Sequence, residues 1–235
     1  MRRALLIFGF SAALLPFGTA PTFAQLAPGP GPQAPPAAPS DKGATQIDGV
    51  AARIEYDIIT ESEVHELAAF QKLVDGESKP RQELLRELID QWMIRNEATA
   101  TKYGQPSAED VDRAYSEFVK QFPSPQEFEK RCAAAGLTEA AVRRMVAQQL
   151  YLSRFIDYRF RPSAQVTDEQ VEAYYHDEFA PQLKARNQPV PPLDDVDDTI
   201  REVLIQRAIN ERSTKWLDDS RDALRIDVMS QGSGS

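Results

Sequence analysis

The chain has 235 residues, 42% of them hydrophobic, and 27 lysines and arginines against 36 aspartates and glutamates, for a formal net charge of −9. That length and apolar content suffice for one ordinary domain with appendages and argue against a disordered chain. The acidic balance disfavours a nucleic-acid partner, whose phosphates need a basic surface. The single cysteine, Cys132, excludes an intrachain disulfide or a thiolate metal cluster.

Residues 1–24 have the layout of an export signal: Arg2 and Arg3, an apolar run over 4–15, and Thr22-Phe23-Ala24 as a small-residue cleavage site. The apolar run is too short to span a bilayer, so cleavage near Ala24 and no later membrane insertion are expected. The leader carries two of the 27 basic residues and none of the 36 acidic ones, so its loss takes the net charge from −9 to −11. Residues 25–46 are rich in Pro, Ala and Gly (APGPGPQAPPAAPS at 27–40), a composition that buries no core and reads as a disordered linker.

A folded domain is expected over 47–229, followed by a flexible tail at 230–235. Its first stretch, IDGVAARIEYDIITESEV (47–64), holds two apolar runs, 50–54 and 58–59, that read as a β-hairpin feeding a helix. Thr60 and Glu63 have the spacing of a capping box. A hairpin alone is marginal in water, and LRIDVM (224–229) alternates like a half-buried strand. The two ends of the domain are therefore expected to pair and close it.

Between them the pattern predicts helices. The first spans 61–74, with Val64, Leu67, Ala68 and Phe70 or Gln71 near one face, and ends at Asp75-Gly76. The second starts near Pro80, carries Leu84, Leu85, Leu88, Ile89, Trp92 and Met93 along one face, and stops at Gly104 and Pro106. A third, capped by Ser107 with Asp110, runs to Phe122, and a fourth starts at a capping box over 124–127 and stops at Gly136. In the fifth, 138–160, Val142, Met145, Val146, Leu152, Ile156 and Phe160 share one face, with Tyr151, Phe155 and Tyr158 on the opposite one. Two apolar faces imply a helix contacted on both sides. A sixth, capped by Thr167 and Gln170, carries Val171, Tyr174, Tyr175 and Phe179. NQPVPPL (187–193) is a Pro-containing connector. Asp194, Asp195, Asp197 and Asp198 then open a closing helix to about Ala223, where acidic groups meet the positive end of the helix dipole.

The residue inventory contains no phosphate-binding glycine loop, no nucleophile elbow and no HExxH. His65 and His176 fall on different helices, and Cys132, in RCAAAG, reads as a small buried hydrophobe. No catalytic, metal or cofactor-binding residue is expected, and no cofactor. The stripe Tyr151, Phe155 and Tyr158 has two readings. It is a candidate client-binding surface, gripping apolar side chains with tolerant geometry, or it packs beneath the closing helix.

VAARIEYDIITESEV, LIDQWMIRNEATATKYG, SAEDVDRAY, CAAAGLTEAAVRRMVAQQLYLSRF, VTDEQVEAYY and DTIREVLIQRAINERSTKWLDDSRDALRIDVM, in that order, resemble the SurA-like periplasmic chaperones. The resemblance covers 47–229. It implies a mainly α fold: a multi-helix SurA N-terminal-type chaperone domain, with a small N-terminal β-hairpin joined by a C-terminal strand. An N-terminal module, 47–186, would be completed by a closing helix and strand, 193–229. Such proteins usually carry one or more parvulin-type prolyl isomerase domains between these parts, whereas here residues 180–193 are too few for an independent domain. The implied function is a periplasmic chaperone that binds unfolded or outer-membrane-bound polypeptides without ATP, lacks isomerase activity and is not an enzyme. The alternative is a structural or assembly-scaffold protein holding one dedicated partner.

Overall fold

A computed structural model describes residues 48–229; the expected leader, linker and tail lie outside the described residues. The two apolar runs form strands β1 (Val50–Ile54) and β2 (Asp57–Thr60), and the chain reverses between them with Glu55 at a φ of 52°. Val50 pairs with Thr60 but Ala52 with Ile59, which leaves Ala51 as an extra residue on β1. Such a bulge re-aims side chains, and here both Ala51 and Ala52 are fully buried. Strand β3 (Ile226–Val228) pairs antiparallel with β1, giving the order β2-β1-β3. The Met229 N–H donates to the Ala51 carbonyl at 2.9 Å and the Glu55 N–H to the Arg225 carbonyl at 3.1 Å, extending the ladder at both ends. First and last strands are thus neighbours, as the alternation in 224–229 predicts.

Helix α1 (Glu61–Asp75) begins where expected because its capping box is complete: Thr60 accepts from the Glu63 N–H, and Glu63 returns a carboxylate to the Thr60 N–H at 2.8 Å. It stops at Gly76, whose φ of 82° suits a residue without Cβ. Buried Gln71 fixes the turn into α2 (Arg81–Ala100), accepting from the Lys79 N–H at 2.9 Å and donating to Glu87 at 3.0 Å. Helix α3 (Ala108–Val119) is capped by Ser107 and ends three residues earlier than expected. Helix α4 (Pro125–Ala135) has only half of its expected box: Ser124 accepts from the Glu127 N–H, but the Glu127 carboxylate is taken by Arg131 at 3.0 Å.

Helix α5 (Glu139–Phe160) runs through both apolar clusters among the described residues. Val142 and Val146 pack with Leu73, Phe118, Phe128 and Cys132. Tyr151, Leu152, Phe155 and Ile156 belong to the larger cluster, with Ile54, Ile59, Leu85, Ile89 and Met93. The predicted sixth helix is divided into α6 (Asp168–Tyr174), a π turn (Tyr175–Phe179) and α7 (Ala180–Ala185). Proline lacks an N–H and its ring clashes with the carbonyl four residues back. The chain accommodates Pro181 by widening one turn, so that the Ala180 N–H reaches the Tyr175 carbonyl. Helix α8 (Leu193–Ala223) returns along the body and delivers β3. It is tied to α2 by Arg221, which bonds Asp90 and Asp218. The Asp90–Arg221 pair is about one-fifth exposed on either side, and burial pushes the Asp90 carboxyl up despite its partner. The architecture is mainly helical with one small antiparallel sheet.

Candidate functional site

Helix α2 ends at Ala100, and Lys102, at a φ of 56°, turns the chain back on itself. The Tyr103 N–H then closes onto the Ala98 carbonyl at 2.8 Å. This reversal lays the Tyr103 ring across the C-terminal half of α5. Its centroid is 5.8 Å from Tyr151, 5.4 Å from Phe155 in an edge-on arrangement, and 5.1 Å from Tyr158. The Tyr151 hydroxyl donates to the Tyr103 carbonyl at 3.4 Å. These tilted and edge-on arrangements avoid the face-to-face sandwich that the quadrupoles of aromatic rings disfavour.

The three candidate client-binding residues therefore do not form one surface, which corrects that expectation for two of them. Tyr151 and Phe155 are core, at 5% and 0% exposure, while Tyr158 is 63% exposed. The cause is Tyr103, which roofs the middle of the stripe, together with α2 and α8, which pack on α5 from other directions. Tyr103 was not singled out from sequence. Its only signal is an aromatic set among helix breakers, in KYGQP.

The rim of the Tyr103–Tyr158 surface carries compensated charges. Arg154 bonds Asp110 at 2.8 Å; that bond, with another from Ser107, holds the Asp110 carboxyl down at about 2. Arg159 bonds Glu97 at 2.7 Å and lies 5.1 Å over the Trp216 ring. Arg161 grips both Asp157 and Glu202, and Glu202 is thereby lowered to about 2. With these charges satisfied, the exposed ring offers an apolar face that selects little by charge.

The other singled-out residues lie apart from this surface. Cys132 is buried in the smaller cluster, where burial, then the charges of Glu139 and Glu129, push its thiol up and away from reactivity. His65 and His176 are exposed, on α1 and the π turn. Asp197 pairs with Arg201 at the start of α8, alongside Asp168 of α6. Among the described residues no group of three or more His, Cys, Asp or Glu is placed to hold a metal ion. No helix among them is long and apolar enough to cross a membrane. Exposed apolar side chains also occur singly around the sheet: Tyr56, in the turn, is 98% exposed, and Ile58 and Val228, about half exposed, pair with Arg53 and Ala52 and so lie on opposite faces. No family model and no curated protein matches this chain.

Proposed function

We propose that this protein is an exported, SurA-like helical chaperone that holds unfolded or outer-membrane-bound polypeptides in the periplasm, without ATP and without isomerase or other enzymatic activity. The observation that carries the reading is the surface at Tyr158: an exposed aromatic ring tilted against a half-buried one at 5.1 Å, inside a rim of paired charges. Aromatic faces give large contact area with tolerant geometry, which suits clients of varied sequence. The order of elements supports it as well, because β3 returns to β1 and α7 reaches α8 through a short connector. The test is light scattering of a diluted, denatured outer-membrane polypeptide with and without stoichiometric protein. Wild type is expected to delay aggregation, and Tyr158→Ala to weaken the delay with at most a small fall in melting temperature. If wild type leaves several such clients unprotected, the chaperone reading fails. Recovery of one saturable folded partner by crosslinking then favours the scaffold reading.

A further inference from the structure

From Gln165 to Thr199 the only buried residues are Val171 and Ala180. Neither belongs to the two apolar clusters found among the described residues, and nor does Ile200, the buried residue of the facing part of α8. Helix α6 packs on α8, and α7 packs chiefly on the π turn beside it. This excursion has almost no core of its own.

Polar clamps hold it instead. Both terminal nitrogens of Arg207 on α8 bond Glu178 at 2.8 Å, and the guanidinium lies 4.7 Å over the Tyr174 ring. Arg201, also on α8, bonds the Asp168 carboxylate at 2.8 Å and the Val166 carbonyl at 3.2 Å. Within the segment itself, the Tyr175 hydroxyl donates to the Pro191 carbonyl at 2.7 Å. The charged members are 31% to 86% exposed, so water and salt reach them, and pairs of that kind are screened. The segment also contains its own break in regular helix, the π turn, and a left-handed residue after α7, Asn187, whose φ is 54°. Each interrupts the regular helical ladder, so the chain has points at which it can bend.

We infer that residues 167–192 form a strap, clamped to α8 by Arg201 and Arg207 and able to bend at the π turn and at Asn187, that opens without unfolding the body. Opening uncovers Val171, Ala180 and Ile200 as a concealed apolar strip. The inference stands on burial and clamp geometry, so it holds or fails separately from the chaperone reading.

Hydrogen exchange of the full chain, read by mass spectrometry, tests it. At low salt, amides of α6 and α7 are expected to exchange on the order of tenfold faster than those of α2 and α5. Raising sodium chloride from about 0.05 to about 0.5 M should speed the strap several-fold further and leave α2 and α5 unchanged. The double variant Arg201→Ala, Arg207→Ala should reproduce the salt effect at low salt, whereas Lys120→Ala, which breaks a pair on α3, should not. Exchange of the strap in step with α2 and α5 overturns the proposal. So does a fast strap that responds neither to salt nor to loss of the two arginines. The wild-type salt comparison decides even if the double variant folds poorly.

Discussion

Replacing Phe155 with Ala separates the core part of the aromatic stripe from its exposed part. Phe155 is fully buried, with Tyr103 edge-on to it at 5.4 Å and Tyr151 and Ile156 in the same apolar cluster. Removing a buried phenylalanine ring costs its transfer energy and leaves a cavity, about 3 to 5 kcal/mol together. Domains of this size shift by about 2 to 4 °C per kcal/mol, so the melting temperature should fall by about 6 to 20 °C. Tyr158→Ala, on the same helix, removes a ring that is 63% exposed. It gives up mainly the contact with Tyr103, at most about 1.5 kcal/mol for an aromatic pair, and a much smaller shift is expected. Urea denaturation followed by far-UV circular dichroism measures both. If Phe155→Ala costs less than about 1 kcal/mol, or Tyr158→Ala costs as much as Phe155→Ala, the assignment of core and surface on α5 is wrong.

Truncation after Leu224 should destabilise the whole domain, because it strips the β3 ladder from β1 and uncovers Ile54, which is fully buried; an unchanged melting temperature would remove the idea of a domain closed by its two ends. Thr60→Ala should cost about 0.5 to 2 kcal/mol by opening the capping box, and a chemical denaturation midpoint identical to wild type would show that the box does not stabilise α1. Glu202 has an ordinary value of 4.5 and is lowered to about 2 in the folded chain by Arg161. Its contribution is present above pH 4.5 and is lost as pH falls toward 2. Glu202→Gln should therefore flatten the acid limb of a stability-against-pH curve, and an acid limb as steep as wild type would count against the pairing.

Much of the fold was legible because its signals are local. A threonine three residues before a glutamate, a glycine after an apolar run and a proline in a first turn each act over a few residues, and α1 and α4 begin and end at those marks. Where the local reading failed, a neighbour competed for the same group. Arg131 took the Glu127 carboxylate from its capping box, and Pro181 widened the helix that Val171 and Phe179 had marked as continuous.

The pattern on α5 established by itself that the helix has two apolar faces, since both the aliphatic and the aromatic positions recur at helical spacing. Which aromatic would meet water was decided only in three dimensions. Tyr151 and Phe155 are buried by α2, by α8 and by Tyr103, a residue 48 positions from Tyr151 that a left-handed turn at Lys102 brings over the stripe. The thinness of the strap was equally hidden, because Val171, Tyr174 and Phe179 look in sequence like any amphipathic stripe. Burial belongs to pairs of surfaces brought together by the fold, so a chain read in order shows what can be buried, and only the packed structure shows what is.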